Sequence, residues 1–155
     1  ARKLDNLILV GLTPQIREVL EAGPPAYIRD QIRALQAKAA RTMFEAVADA
    51  VPLDRLAAHF PDTYGQALAN ILAVLEQGAS VIDSSVAGLG GCPYASGASG
   101  NVASEDVLYM LNGLGIASGV DLEAVARAGR FIAAHLGRPP DSKVGRAMAA
   151  TPPSR

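Results

Sequence analysis

The chain has 155 residues, of which half are hydrophobic and 19% are charged, and its formal net charge is −1. This composition is typical of a globular domain able to bury a core, and the balanced charge argues against nucleic acid or an acidic membrane as a partner. The single cysteine, Cys92, excludes an internal disulfide and fits a reducing compartment.

The sequence also lacks features of export and of membrane insertion. The first residues do not show the basic and apolar regions of a secretory signal, and no apolar run approaches the ~20 residues that span a bilayer. We therefore expect a cytoplasmic location and no membrane partner.

Hydrophobic patterning predicts strands that alternate with helices. Apolar runs predict three strands, at residues 6–10, 56–60 and 80–86. Helical periodicity with capping signals predicts five helices, at residues 13–22, 26–51, 66–77, 104–113 and 121–137. This order indicates βα units around a parallel sheet. Catalytic residues in such folds follow the carboxyl ends of strands, where His59 and the segment 85–101 both fall.

The last two helices carry N-terminal signals. Ser104 is predicted to cap the fourth, with Glu105 and Asp106 complementing the helix dipole in its first turn. Asp121 is predicted to cap the fifth. The tail after residue 137 contains two Pro-Pro pairs, and we expect it to be flexible and without regular structure.

Residues 85–101 form a glycine-rich segment that also holds the only cysteine. Glycines allow a backbone to approach a ligand closely, and a thiol in an exposed loop can be reactive. The alternative is a surface loop with an incidental cysteine. The order of residues favours the functional interpretation, because residues 85–106, SVAGLGGCPYASGASGNVASED, closely resemble the active-site signature of the 3-hydroxy-3-methylglutaryl-CoA lyases.

A second motif, DTYGQALAN at residues 62–70, resembles the same family at the same distance upstream. The resemblance covers about residues 40–143, roughly the last third of such an enzyme. It implies an α/β fold corresponding to part of a (β/α)8 TIM barrel. We therefore divide the chain into a divergent βα segment at 1–39, a lyase-like barrel portion at 40–137, and the tail at 138–155.

The resemblance implies a carbon–carbon lyase of ketone body metabolism and leucine degradation. Its substrate would be the acyl-CoA thioester (S)-3-hydroxy-3-methylglutaryl-CoA, cleaved to acetyl-CoA and acetoacetate with a divalent cation, Mg²⁺ or Mn²⁺. A family member would lie in the cytoplasm, or in the mitochondrial matrix of a eukaryote.

The resemblance also implies the site residues. Cys92 matches the catalytic cysteine, and Glu105 matches an acidic residue near the site, although a first-turn carboxylate explains it as well. His59 matches the first metal ligand of a His-x-His pair, and Asn101 matches an asparagine ligand, although it could equally be a turn or cap residue. The second histidine is replaced by Pro61, and the family's remaining ligand, an aspartate on its first strand, has no counterpart. Two of the four expected ligands are therefore visible.

Two alternatives remain. Because of Pro61 and the missing first strands, the chain could be an inactive fragment or divergent relative with a structural or partner-binding role. A related aldolase-type acyl transferase is the other, against which the Gly-Gly-Cys-Pro-Tyr motif argues. A piece of barrel leaves unpaired sheet edges, so we expect a homo-oligomer or association with another chain.

Overall fold

A computed structural model describes residues 26–91 and 100–150, and for residues 26–36 it describes the backbone only. The predicted strand at 6–10, the helix at 13–22 and Cys92 lie outside these residues. The described chain is an α/β structure with five helices and one two-stranded sheet. No helix among the described residues has both the length and the apolarity to cross a membrane.

The elements follow the predicted order, with shorter strands. Helix α1 is Ala26–Ala48, α2 is Ala67–Leu75, α3 is Ser104–Gly113, α4 is Leu122–His135 and α5 is Lys143–Ala150. The strands are β1, Ala58–His59, and β2, Ile82–Asp83, and they pair with each other. Each strand has only two residues because the apolar runs around it continue as bends, isolated bridges and short 3-10 turns.

The chain divides into two compact units. In the unit that ends at Ala58 and resumes at Ala69–Ile82, Ala40 and Phe44 lie one turn apart on α1 and are buried, as are Ile71 and Val74 of α2. An ion pair joins Arg41 to Glu76. Both side chains are about half exposed, so we attribute the stability of this unit to its apolar core rather than to this pair.

The second unit comprises His59–Leu68 and the chain from Asp83 onward. Helices α3, α4 and α5 pack on one another, and α3 and α4 also pack on the 3-10 turn Val86–Gly88. Small residues such as Ala126 and Ala133 are buried here, together with Val107 and Leu111. Small side chains on α4 permit close approach between elements, which places the turn and the start of α3 side by side.

Two local predictions need correction in this unit. Ala103, not Ser104, is the N-cap of α3, and the Ser104 hydroxyl lies 2.8 Å from that of Ser84. Helix α5 occupies part of the tail in which we expected no regular structure. Ser142 directly before it is a local capping signal, since its hydroxyl accepts the Gly145 N–H, and Asp106 of α3 adds a second cap from a distant part of the chain. Asp121 caps α4 as predicted, accepting hydrogen bonds from the N–H groups of Glu123 and Ala124.

Candidate functional site

The two ends of the glycine-rich segment are held together. The Asn101 side-chain amide donates to the carbonyl oxygen of Leu89 at 3.1 Å. A Cβ at Gly100 would lie 2.6 Å from the Gly90 oxygen and 2.7 Å from the Gly88 oxygen, so only glycine allows this approach. The described segments that flank residues 92–99 therefore lie close together and form a closed base.

An unusual backbone conformation marks that base. Ala87 has φ 57° and ψ 16°, the left-handed region that non-glycine residues seldom adopt. Its carbonyl oxygen accepts the N–H of Asp141 at 3.0 Å, and its own N–H points at Glu105. Contacts on both sides of the peptide hold a conformation that costs on the order of 1 kcal/mol.

Glu105 is the residue that holds Ala87. It is 0% exposed, and each of its carboxylate oxygens lies 3.0 Å from the Ala87 nitrogen. Burial raises the pKa of Glu105, hydrogen bonds from its own backbone and from Ala87 partly oppose this, and the charge of Asp106 adds to the rise. Glu105 lies in the first turn of α3 as predicted, but its carboxylate supports the loop base and is not among the residues lining the cleft described below.

Gly129 of α4 makes room for this carboxylate. A Cβ at this position would lie 2.3 Å from Oε1 of Glu105 and 3.5 Å from the Ala87 Cβ. Such a contact is too short for any real side chain, and the neighbouring groups are buried. The sequence analysis did not single out Gly129, because a glycine inside a helical pattern reveals neither its partner nor the distance to it.

Asp106 performs a different task. It is 8% exposed, and its oxygens accept hydrogen bonds from the Ser142 hydroxyl at 2.7 Å, the Val144 N–H at 2.8 Å and the Lys143 N–H at 3.2 Å. It therefore caps α5 from outside that helix. Sequence reasoning assigned Asp106 to its own helix dipole, because its true partners are 36 to 38 residues further on.

The two predicted metal ligands lie on neighbouring stretches of backbone. The Val102 N–H donates to the Phe60 oxygen at 3.4 Å, and Pro61 forms an antiparallel bridge with Asn101. In extended chain, residues i and i+2 face the same side, so His59 and Pro61 share a side. Pro61 thus stands directly opposite Asn101, at the position where the family would carry its second histidine.

These donors fit a hard divalent cation in kind. Because the Asn101 amide nitrogen donates to Leu89, its oxygen remains available as a ligand. His59 is about half exposed, and its Nδ1 lies 3.6 Å from Oδ2 of Asp83, a carboxylate arrangement that leaves Nε2 for a metal. Among the described residues no group of three or more His, Cys, Asp or Glu side chains could hold a metal. The remaining ligands would have to come from elsewhere.

A cleft of about 220 Å³ opens beside the loop base. The residues that line it are Asp62, Gly65, Gly88, Gly100, Asn101, Ala103, Asp106, Asp141 and Lys143. Asp62 accepts the Ala67 N–H at 3.0 Å, so it satisfies a backbone donor at the start of α2. The cleft therefore joins the loop base to the start of α5.

Comparison with known proteins agrees with this combination of α/β fold and loop. Residues 10–132 match the sequence model of the HMGL-like family, so the match includes residues 10–39, where the motifs alone showed no likeness. The chain is 60% identical over 121 residues to the 3-hydroxy-3-isohexenylglutaryl-CoA/hydroxy-methylglutaryl-CoA lyase of Pseudomonas aeruginosa, covering 78% of this chain and 40% of that protein.

Eukaryotic relatives give the same result. The chain is 65% identical over 106 residues to the mitochondrial hydroxymethylglutaryl-CoA lyase of Arabidopsis thaliana, covering 68% of this chain and 23% of the relative. It is 60% identical over 107 residues to the human mitochondrial enzyme, covering 69% and 33%. The chain thus spans between about a quarter and two fifths of the length of these relatives.

Solved structures extend the likeness to three dimensions. The crystal structure of hydroxymethylglutaryl-CoA lyase from Pseudomonas aeruginosa matches with a TM-score of 0.71 at 62% identity, over 74% of this chain and 38% of that one. The chain is therefore an α/β protein of the HMGL-like family. Within it, the chain belongs to the hydroxymethylglutaryl-CoA lyase family, and the family resemblance seen in the sequence is confirmed.

Proposed function

We propose that this chain is a carboxyl-terminal part of a (β/α)8 barrel lyase that cleaves (S)-3-hydroxy-3-methylglutaryl-CoA into acetyl-CoA and acetoacetate. The observation that carries the proposal is the closed base of the cysteine loop, in which Glu105 fixes Ala87 and Asn101 ties back to Leu89. These contacts fix the residues that flank positions 92–99 beside the cleft, which a segment that covers an active site requires at its two ends.

The proposed reaction needs one proton removed and one delivered. A base takes the proton of the tertiary hydroxyl, and the electron pair of that O–H bond forms the ketone of acetoacetate. The bond between C2 and C3 breaks, and its electrons pass to the thioester as the enolate of acetyl-CoA. Protonation of that enolate at carbon completes acetyl-CoA. We assign Cys92 as an acid or base in these transfers.

His59 and Asn101 would hold the divalent cation on which the family depends, together with ligands from outside the described residues. When bound, such a cation polarises the substrate oxygens and lowers the pKa of the hydroxyl. In this proposal Asn101 has a double task, because the same amide ties the loop end to Leu89 through its nitrogen. Glu105 acts as a positioning residue through Ala87.

The short sheet supports association with a further chain. With two strands of two residues each, the described residues fall far short of a closed eight-stranded barrel. We propose that another chain, or a second copy of this one, supplies the missing neighbours. Relatives include both mitochondrial and cytoplasmic lyases, and we propose a location in one of these compartments. The divisions at residues 39 and 137 also remain proposals.

A second candidate is a divergent relative without turnover, with a structural or partner-binding role. Pro61 is the observation that favours it, since it occupies the place opposite Asn101 where a second imidazole is expected. Proline offers no side-chain donor or acceptor.

The test is cleavage of hydroxymethylglutaryl-CoA by the purified, folded chain with Mg²⁺ or Mn²⁺, followed through acetoacetate. Cys92→Ala should abolish turnover, whereas Ser99→Ala, a matched change in the same loop, should retain it. Equal turnover in wild type and Cys92→Ala would refute the assignment of Cys92. No turnover by folded wild type, alone and with the Pseudomonas aeruginosa lyase fragment that corresponds to the missing portion, would favour the inactive relative.

A further inference from the structure

We infer that Lys143 is a substrate-binding residue whose ammonium group pairs with an anionic group, carboxylate or phosphate, of the ligand that enters the cleft beside the loop base. This inference rests on the proposed function for the identity of the ligand, since acyl-CoA thioesters of this kind carry both groups. It rests on the cleft itself for the site.

The residues of the cleft include ionisable groups of both signs. Four of the residues that line the cleft are ionisable: Asp62, Asp106 and Asp141, which carry carboxylates, and Lys143, which carries an ammonium group. Taken alone, this set would favour a cation. Each carboxylate, however, already has a protein donor: Asp62 accepts the Ala67 N–H at 3.0 Å, and Asp141 is paired with Arg138 at 3.0 Å.

Asp106 is the most strongly engaged of the three. Its two oxygens accept hydrogen bonds from the Ser142 hydroxyl and from the N–H groups of Lys143 and Val144. These donors belong to the first turn of α5, whose partial positive charge offsets the carboxylate. The side chain of Asp106 is therefore used in capping and is not available to neutralise the Lys143 ammonium.

Lys143 differs from these carboxylates. Among the side chains that the structure describes, those of residues 37–91 and 100–150, that of Lys143 takes part in none of the ion pairs or side-chain hydrogen bonds. It is exposed at the rim of the cleft. A lysine in a concave site without a carboxylate partner can bind an anion without first breaking an ion pair.

The backbone of Lys143 is held in a fixed position beside the cleft. Because Asp106 holds the Lys143 N–H, the backbone that carries this side chain is fixed relative to α3. The adjoining hydroxyl of Ser142 is fully buried and accepts the Gly145 N–H at 2.8 Å. The stem of Lys143 thus starts from a rigid point on the same cleft that Asn101 lines. Because both residues line this cleft, a ligand within it can contact Lys143 as well as Asn101.

The experiment measures binding by isothermal titration calorimetry with two probes. Coenzyme A carries phosphates and no acyl carboxylate, and 3-hydroxy-3-methylglutarate carries carboxylates and no phosphate. The variants are Lys143→Gln, Lys143→Arg, and Arg146→Gln as the matched control. Arg146 is an exposed cation on the same helix that does not line the cleft, so its loss removes the same charge from α5.

Lys143→Gln should weaken binding of one probe about tenfold, the loss expected for one charge-assisted hydrogen bond, while Arg146→Gln stays within about twofold. Lys143→Arg should restore most of the affinity. The probe that weakens names the group that Lys143 recognises. Unchanged binding in Lys143→Gln, an equal loss in Arg146→Gln, or wild type that binds neither probe would overturn the inference.

Turnover separates this inference from the proposed function. Wild type that cleaves no substrate but shows probe binding dependent on Lys143 would refute the lyase and leave the binding role intact. Wild type that cleaves substrate with the same KM as Lys143→Gln would support the lyase and refute the role of Lys143.

Discussion

Substitution of Gly129 by alanine tests the packing that holds the loop base. An alanine inside an exposed helix normally stabilises it relative to glycine by up to about 1 kcal/mol, because glycine loses more backbone entropy on folding. At Gly129 the sign should reverse. The new Cβ would lie 2.3 Å from Oε1 of Glu105, so the carboxylate or the helix must move.

The magnitude follows from the two groups that must give way. Overpacking in a buried site costs about 1–3 kcal/mol. Glu105 is fully buried, so its carboxylate cannot move away from the new Cβ without displacing its neighbours. Displacing the carboxylate also weakens its bonds to the Ala87 N–H, and a hydrogen bond to a charged group contributes about 1.5–3 kcal/mol. After the gain in helix propensity is subtracted, we expect Gly129→Ala to lower the free energy of unfolding by about 2 kcal/mol.

The assay is urea unfolding followed by circular dichroism, with Gly113→Ala as the matched control. Gly113 ends helix α3, and a Cβ there would meet nothing within 4 Å, so this variant should match or slightly exceed the wild type. A Gly129→Ala protein as stable as Gly113→Ala would refute the packing argument. If Gly129→Ala does not fold, Gly129→Ala combined with Glu105→Gln should not recover fully, because the amide has the same bulk, whereas Glu105→Ala should recover part of the loss.

Two further predictions concern the carboxylate and the cation site. Burial raises the folded-state pKa of Glu105 above its usual value of 4.5. The contribution of Glu105 to the free energy of unfolding is therefore complete below pH 4.5 and is lost as pH rises through the folded-state pKa. A pH series of urea melts should show this decline in wild type and not in Glu105→Gln, and parallel curves for the two proteins would contradict the prediction. Pro61→His should tighten Mn²⁺ binding about tenfold or more, because it places an imidazole opposite Asn101. Binding is measured by electron paramagnetic resonance, with Pro52→His as the control. Unchanged affinity in Pro61→His would mean that the cation site is not assembled.

Local chemistry explains what was predictable from the sequence. Helix α3 spans the predicted residues 104–113, and α4 begins directly after its predicted cap Asp121. Apolar periodicity and capping act between residues a few positions apart, so they can be recognised in the chain itself. The glycine-rich motif likewise indicated the family, which the comparisons confirm.

The strands were harder to predict because a strand requires a partner. Apolar runs at 56–60 and 80–86 each predicted five or more residues, but paired strand forms only at Ala58–His59 and Ile82–Asp83. Hydrophobicity indicates that a segment is buried, and the length of its ladder depends on which neighbours reach it. Helix α5 was missed because the two Pro-Pro pairs around it indicated a flexible tail, although Ser142 is a local N-cap. Its second cap, Asp106, lies 37 residues before Lys143 and could not be recognised from the sequence.

The sequence by itself therefore determined the family and the main helices, because these depend on residue type and short spacing. Only the tertiary structure decided what the side chains do. Two adjacent first-turn carboxylates, alike in the sequence, diverge: Glu105 turns inward to a left-handed Ala87, and Asp106 caps α5. The physical reason is that α4 and α5 pack against the start of α3, and this long-range packing selects a different partner for each carboxylate.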